Sequence, residues 1–165
     1  MGRRPLLKLA AVAAAGLAAW LLYPLLLSDE ARIRRQIDAS LDAFNRARAG
    51  SCVSVLAEDF RDETHRADRR AIRGYLAALF ISSQNRVDGR FRYAVRLLED
   101  ELRIAVREDG SGRADVTGAL AFRDLLSESE EPAWEAAVTA LFAKESGDWL
   151  VKTASFETRS GRRPF

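Results

Sequence analysis

The residues with the most chemical potential fall in one stretch, "AGSCVSVLAEDFRDETHRAD" (residues 49–68), which holds the chain's single cysteine and single histidine. Asp62, Glu63 and His65 stand side by side within it. A carboxylate or imidazole so placed could take a proton from a carbon next to an electron sink, a reaction that needs both a base and an electrophilic partner. Histidine suits the base, because its unperturbed titration lies closest to neutral pH. The competing expectation is that all three decorate a polar loop, where such residues usually sit. Cys52 is expected as a small buried apolar residue, since nothing near it would stabilise a thiolate.

Other chemistries are excluded by residue type and spacing. One His and one Cys cannot supply the three or four convergent ligands of a metal site, so no metal is expected. The chain has no Gly-rich phosphate loop and no Gly-x-Ser-x-Gly elbow, and no cofactor is expected. "GSG" at 110–112 reads as a hairpin turn. Basic residues number 26 against 24 acidic, and Arg3, Arg4 and Lys8 precede the first acid. The rest of the chain is therefore close to neutral, without the basic face that nucleic acid requires.

Residues 9–27, "LAAVAAAGLAAWLLYPLLL", carry no charge and approach the ~20 residues that span a hydrocarbon core as a helix. Arg3, Arg4 and Lys8 lead the run, and Trp20 and Tyr23 fall toward its far end, where amphipathic rings settle. The expectation is a short basic cytoplasmic end (1–8), a membrane anchor (9–27) and an exported domain in the periplasm or cell exterior. A cleaved signal peptide fits less well, because its cleavage positions want small residues and Leu26-Leu27 precede Ser28.

The elements that must position the 49–68 stretch follow from periodicity. Ser28 caps a helix over residues 29–49, with Asp29 and Glu30 in the first turn, Ile33, Ile37, Leu41 and Phe44 as its apolar stripe, and Gly50 as its stop. Ser51 then starts a short second helix with Val53, Leu56 and Phe60 on one side. Asp68 caps a third, in which Ile72, Tyr75, Leu76, Leu79 and Phe80 recur at helical spacing. Beyond Asn85 the period becomes alternating. Phe91 to Leu97 share one parity and Leu102 to Val106 the other, which requires a turn near Glu99-Asp100. "REDGSGR" and "KESGD" are hairpin turns, and Trp149, Val151, Thr153 and Ser155 form the last strand. The pattern predicts an α+β domain: three helices, then an antiparallel sheet of four or more strands.

In that order, "FNRARAGSCVSVLAEDF", "DRRAIRGYLAALF" and "ALFAKESGDWLVKTASF" resemble the NTF2-like (SnoaL-like) superfamily over about residues 29–158. The resemblance implies a cone, a curved sheet wrapped on helices with a pocket at its open end. It implies a domain at 28–158, followed by the basic tail "RSGRRPF" (159–165), which is expected to solubilise the end of the chain or touch anionic headgroups. Relatives that isomerise ketosteroids carry a tyrosine on the first helix and an acid after the second. Here Asp62 and Glu63 match the acid, but Phe44 is the nearest aromatic on the first helix and has no hydroxyl. The cone would bring some of Tyr75, Tyr93 and Trp134 to the pocket, as candidate ligand-binding residues. Ala137, Thr139, Leu141 and Ala143, the outward parity of the penultimate strand, are not the charged row of a solvated sheet, and with the resemblance they imply a homodimer through that face. Two functional expectations follow: an anchored domain that binds an envelope partner or an apolar ligand, and a small-molecule enzyme using a pocket carboxylate.

Overall fold

The computed structural model of the chain describes residues 27–85 and 89–163. The expected cytoplasmic end and nearly all of the expected anchor lie outside them. Among the described residues, no helix is long and apolar enough to cross a membrane.

Helix α1 (Asp29–Asn45) begins as its sequence predicts: the Ser28 hydroxyl accepts from the Ala31 N–H at 3.3 Å, and Ile33 and Phe44 are buried on the inner face. It ends earlier than residue 49. The Asn45 side chain clamps the backbone of Val95, donating to its carbonyl at 2.9 Å and accepting from its N–H at 2.7 Å. The chain then turns through Ala47, at φ 54°. Gly50 is therefore not the stop; it lies inside a one-turn helix, α2 (Ala49–Cys52).

The expected second helix is replaced by a strand, β1 (Leu56–Asp62), which pairs in parallel with the last strand. Val53, Leu56 and Phe60 have helix-like spacing, but the pairing register shifts between Leu56 and Arg61, and such an irregularity changes the side-chain alternation. Pairing with a neighbouring strand decides the conformation where local spacing is ambiguous. Asp68 does cap the next helix, α3 (Arg69–Ser82), accepting from the Ala71 N–H at 2.7 Å.

The remaining strands are β2 (Tyr93–Leu97), β3 (Arg103–Val106), β4 (Arg113–Asp124), β5 (Trp134–Glu145) and β6 (Asp148–Gly161). The sheet order is β1-β6-β5-β4-β2, with β3 also on β4. The sheet is thus mixed rather than antiparallel, because β1 runs with β6. A 3₁₀ turn at Glu99–Glu101 separates β2 from β3 and accounts for the parity flip there. A second flip was hidden in β6: Phe142 faces Val151 and Leu141 faces Thr153, so Lys152 is an inserted residue. In consequence Ala154 and Trp149 are buried, whereas Thr153 and Ser155, expected to share Trp149's face, do not follow it.

Two apolar clusters hold the helices to the sheet. One gathers Ile33, Phe60, Phe142 and Trp149; the other gathers Phe44, Cys52, Phe80, Phe122 and Trp134. In the second, Phe44 meets Phe80 and Phe122 edge-on at 5.4 and 5.7 Å, the arrangement that ring quadrupoles favour.

Candidate functional site

Members of both clusters border a cavity of about 300 Å³. It exists because the middle of the sheet offers small inward residues. Gly118 pairs with Val138, and Ala140 is next on that face, so the side chains of α1 (Ile37, Leu41) and α3 (Ile72) are not met by bulk. The lining is almost wholly apolar. Among the described lining residues, Asp62 is the one anion and Arg163 the one cation.

Asp62 ends β1 and is only 3% exposed. A buried carboxylate needs hydrogen-bond donors to be tolerated. Its Oδ1 accepts from the backbone N–H groups of Thr64 (2.9 Å) and His65 (3.3 Å), and its Oδ2 lies 2.8 Å from His65 Nδ1. The tight turn after the strand supplies all three, closed by the Asp62 N–H to the Ala67 carbonyl at 2.8 Å. On the other side of the imidazole, Arg163 Nη1 lies 2.6 Å from His65 Nε2. A guanidinium can only donate, so Nε2 is the acceptor and the ring proton sits on Nδ1, facing Asp62. The network therefore holds the imidazole between a carboxylate and a guanidinium.

Arg163 arrives there by a backbone device. Gly161 ends β6 at φ 72°, and a Cβ on it would run into the Ala133 carbonyl oxygen. Only glycine allows that approach. The Arg162 N–H donates to the same carbonyl at 3.0 Å. The turn lays Arg163 over the Trp134 ring, 5.7 Å from its centroid, while the indole N–H of Trp134 donates to Thr158 Oγ1 at 3.0 Å.

The other sequence candidates are placed as follows. Glu63 is exposed, and its backbone N–H donates to the Ala154 carbonyl at 2.8 Å. Tyr75 is 66% exposed on α3. Tyr93 is buried against Phe91 and under Arg92, outside the cavity lining. Trp134 lines the cavity. Asp62 is on the wall of the cavity, not on a solvated loop; His65, bonded to it, is itself exposed in the turn and is not among the residues that line the cavity. Arg163 belongs to the tail expected to solubilise the end of the chain or touch anionic headgroups, and the structure places it on the cavity lining. Gly161, the last residue of β6 after the polar run Glu157–Ser160, is the signal that the chain turns back there.

Two further polar groups touch the cavity. The Ser40 hydroxyl donates to the Cys52 carbonyl at 3.3 Å. Burial pushes the Cys52 thiol up to about 11, which keeps it protonated. No group of His, Cys, Asp or Glu that could hold a metal ion occurs among the described residues.

This architecture, a mixed sheet over few helices with a cavity between the layers, is the NTF2-like, cystatin-like fold. An NTF2-like protein with a cystatin-like fold from Novosphingobium aromaticivorans superposes with a TM-score of 0.64 at 17% identity, over 90% of this chain and 91% of that one. A hexachlorocyclohexane dehydrochlorinase, LinA-type3 from Novosphingobium barchaimii, gives 0.60 at 11% identity, over 79% and 86%. A function-unknown protein from Mycobacterium tuberculosis gives 0.60 at 17% identity, over 78% and 70%. At these identities the likeness is one of fold. No protein-family model and no curated protein matches the sequence.

Proposed function

We propose that the domain is a binding module for a small apolar ligand, held in the cavity between α1, α3 and the sheet. The observation that carries this reading is the cavity itself: about 300 Å³ of space walled by apolar side chains inside an otherwise packed core. Interiors normally close such volume, because each unfilled space forfeits contacts. Ligand sites combine apolar walls with a few placed polar groups, and Asp62 and Arg163 are those groups here. The test is saturable binding of 1-decanol, lost when Val138→Phe fills the space.

A second reading is favoured by the Asp62–His65 pair. A buried carboxylate that orients an imidazole is the arrangement of a general base, and the fold is shared with a dehydrochlorinase. In this reading His65 removes a proton from a ligand and Asp62 holds the ring in place. The reaction would be an elimination, isomerisation or hydrolysis of a small molecule. Nε2 is covered by Arg163 in this conformation, so the arginine has to swing aside first. Turnover abolished by His65→Gln, with ligand binding retained, would establish it.

The domain is further read as the exported part of an envelope protein, tethered by the apolar run at 9–27. The outer face of β5 carries Ala137, Thr139, Leu141 and Ala143, of which Thr139 is exposed and the other three half-buried, and it pairs with Glu157, Ser155, Thr153 and Leu150 of β6. That face suits a second copy of the chain or an envelope partner. Protease protection in spheroplasts tests the topology, and sedimentation of wild type against Leu141→Glu tests the face.

A further inference from the structure

We propose a second site in this domain: an open cleft between β1 and α3, walled by four arginines, that takes the phosphate monoester group of a small soluble molecule or of a lipid head. It shares no lining residue with the apolar cavity and goes beyond the readings above.

The cleft measures about 470 Å³. Arg61 reaches it from β1, and Arg69, Arg70 and Arg73 reach it from α3. Arg61 and Asp68 are bridge partners through the backbone, which sets the strand beside the start of the helix. Two carboxylates, Glu58 and Asp68, border the same cleft. Asp68 is committed to its own helix, accepting from the Ala71 N–H at 2.7 Å. Four guanidinium groups against two carboxylates leave the cleft positive.

Helix stability does not explain this arrangement. On α1 the arginines stand one turn from acids, and Arg34–Asp38 and Arg46–Asp42 close as ion pairs at 2.9 and 3.0 Å. On the sheet, Arg92 and Arg107 likewise hold Asp124 and Asp115. Helix α3 has no acid at any position, and its Arg69 and Arg73 are like charges at the i, i+4 spacing, where they repel. Its first turn carries cations, which a helix disfavours at that end; α1 has Asp29 and Glu30 there. Among the described residues, none of the four cleft arginines forms an ion pair. Local rules broken together in one place mark a site kept for function.

The ligand class follows from the donors. Guanidinium groups bind phosphoryl oxygens through paired N–H donors. A phosphate monoester carries roughly −1.5 to −2 charge at pH 7, so one group can answer two arginines. The volume falls within the range of small-molecule sites. Over the whole chain 26 basic residues meet 24 acidic ones, so the positive potential is local and suits one phosphoryl group rather than the long backbone of a nucleic acid.

The test uses the full chain in phosphatidylcholine nanodiscs and phenylglyoxal, which modifies accessible arginines, with each arginine followed by peptide mass spectrometry. One arm adds glycerol 3-phosphate; in the other, part of the nanodisc lipid is phosphatidate, which carries the same group on a lipid. Arg35, exposed on α1, is the internal reference. Modification of Arg69 and Arg73 is expected to slow at least about threefold, as two-thirds occupancy requires, while Arg35 is unchanged. Protection by glycerol 3-phosphate supports a free ester as the ligand, and protection by phosphatidate alone supports a lipid head. In Arg69→Gln/Arg73→Gln, shown to be folded by circular dichroism, the protection of Arg61 and Arg70 is expected to vanish. The proposal is overturned by absence of protection in both arms, by equal slowing at Arg35, or by full protection of Arg61 and Arg70 in the folded double variant.

Discussion

His65 Nε2 and Arg163 Nη1 lie 2.6 Å apart although 98 residues separate them in the chain. That contact joins the turn after β1 to the turn after β6, the two neighbouring strand ends at the polar end of the cavity. It makes a geometric unit of Asp62, His65 and Arg163, and the behaviour of that unit can be measured.

The first expectation concerns the proton on His65. In wild type it resides on Nδ1, because Asp62 accepts it and Arg163 donates to Nε2. Asp62→Asn can present an amide N–H to Nδ1, which drives the proton to Nε2, against the arginine. Long-range ¹⁵N–¹H spectra of the imidazole should show the Nδ1–H tautomer in wild type and a shifted population in Asp62→Asn. Asp62→Ala leaves two backbone N–H groups without their acceptor and should cost about 1–3 kcal/mol of stability in a denaturant titration.

The tail turn supplies the second. Gly161→Ala places a methyl group against the Ala133 carbonyl in left-handed backbone. The strand end should lift away, with a loss of roughly 1–3 kcal/mol in thermal unfolding. The His65 ring should then lose its arginine contact, visible as a change in the same ¹⁵N spectra, even though Arg163 is still present.

Cys52 gives a third. Its thiol is pushed up to about 11 by burial, so little thiolate exists at neutral pH. Alkylation by iodoacetamide should be at least on the order of a hundredfold slower than for an exposed thiol, whose ordinary value is near 8.5. A decanol-loaded protein should react more slowly still, since Cys52 lines the cavity.

The fourth is a pH dependence. Asp29, at the start of α1, accepts from the buried Trp149 indole N–H at 2.8 Å and from Lys144 at 3.0 Å. The indole bond first, and the lysine second, hold its carboxyl below the ordinary 3.8. A carboxyl lowered by folding contributes stability above its unfolded value, and that contribution disappears as the pH falls through the folded value. Asp29→Asn should therefore be less stable than wild type at pH 7, and the gap should close below about pH 4. Asp29→Ala should lose more, about 1–3 kcal/mol, because Trp149 is then left without an acceptor.

Much of this fold was legible because it rests on local chemistry. Ser28 and Asp68 are side-chain caps, and the alternation of β2 to β5 is a property of adjacent residues; all appear where the sequence puts them. The parts that were not legible depend on distant partners. Val53, Leu56 and Phe60 read as a helix face until β6 offers β1 a parallel edge. The inserted Lys152 is invisible without the register of β5. For the site, Asp62 and His65 could be named from composition, but the burial of Asp62 follows from that same β1 pairing. Arg163 could not be named, since its role comes from a backbone turn against a carbonyl on another strand.

The most direct measurement is the binding of 1-decanol to wild type and to Val138→Phe by equilibrium dialysis. The cavity account predicts saturable binding of one decanol per wild-type chain and at least a tenfold loss in a folded Val138→Phe. Absence of saturable binding by wild type, or equal binding by the filled variant, would contradict it.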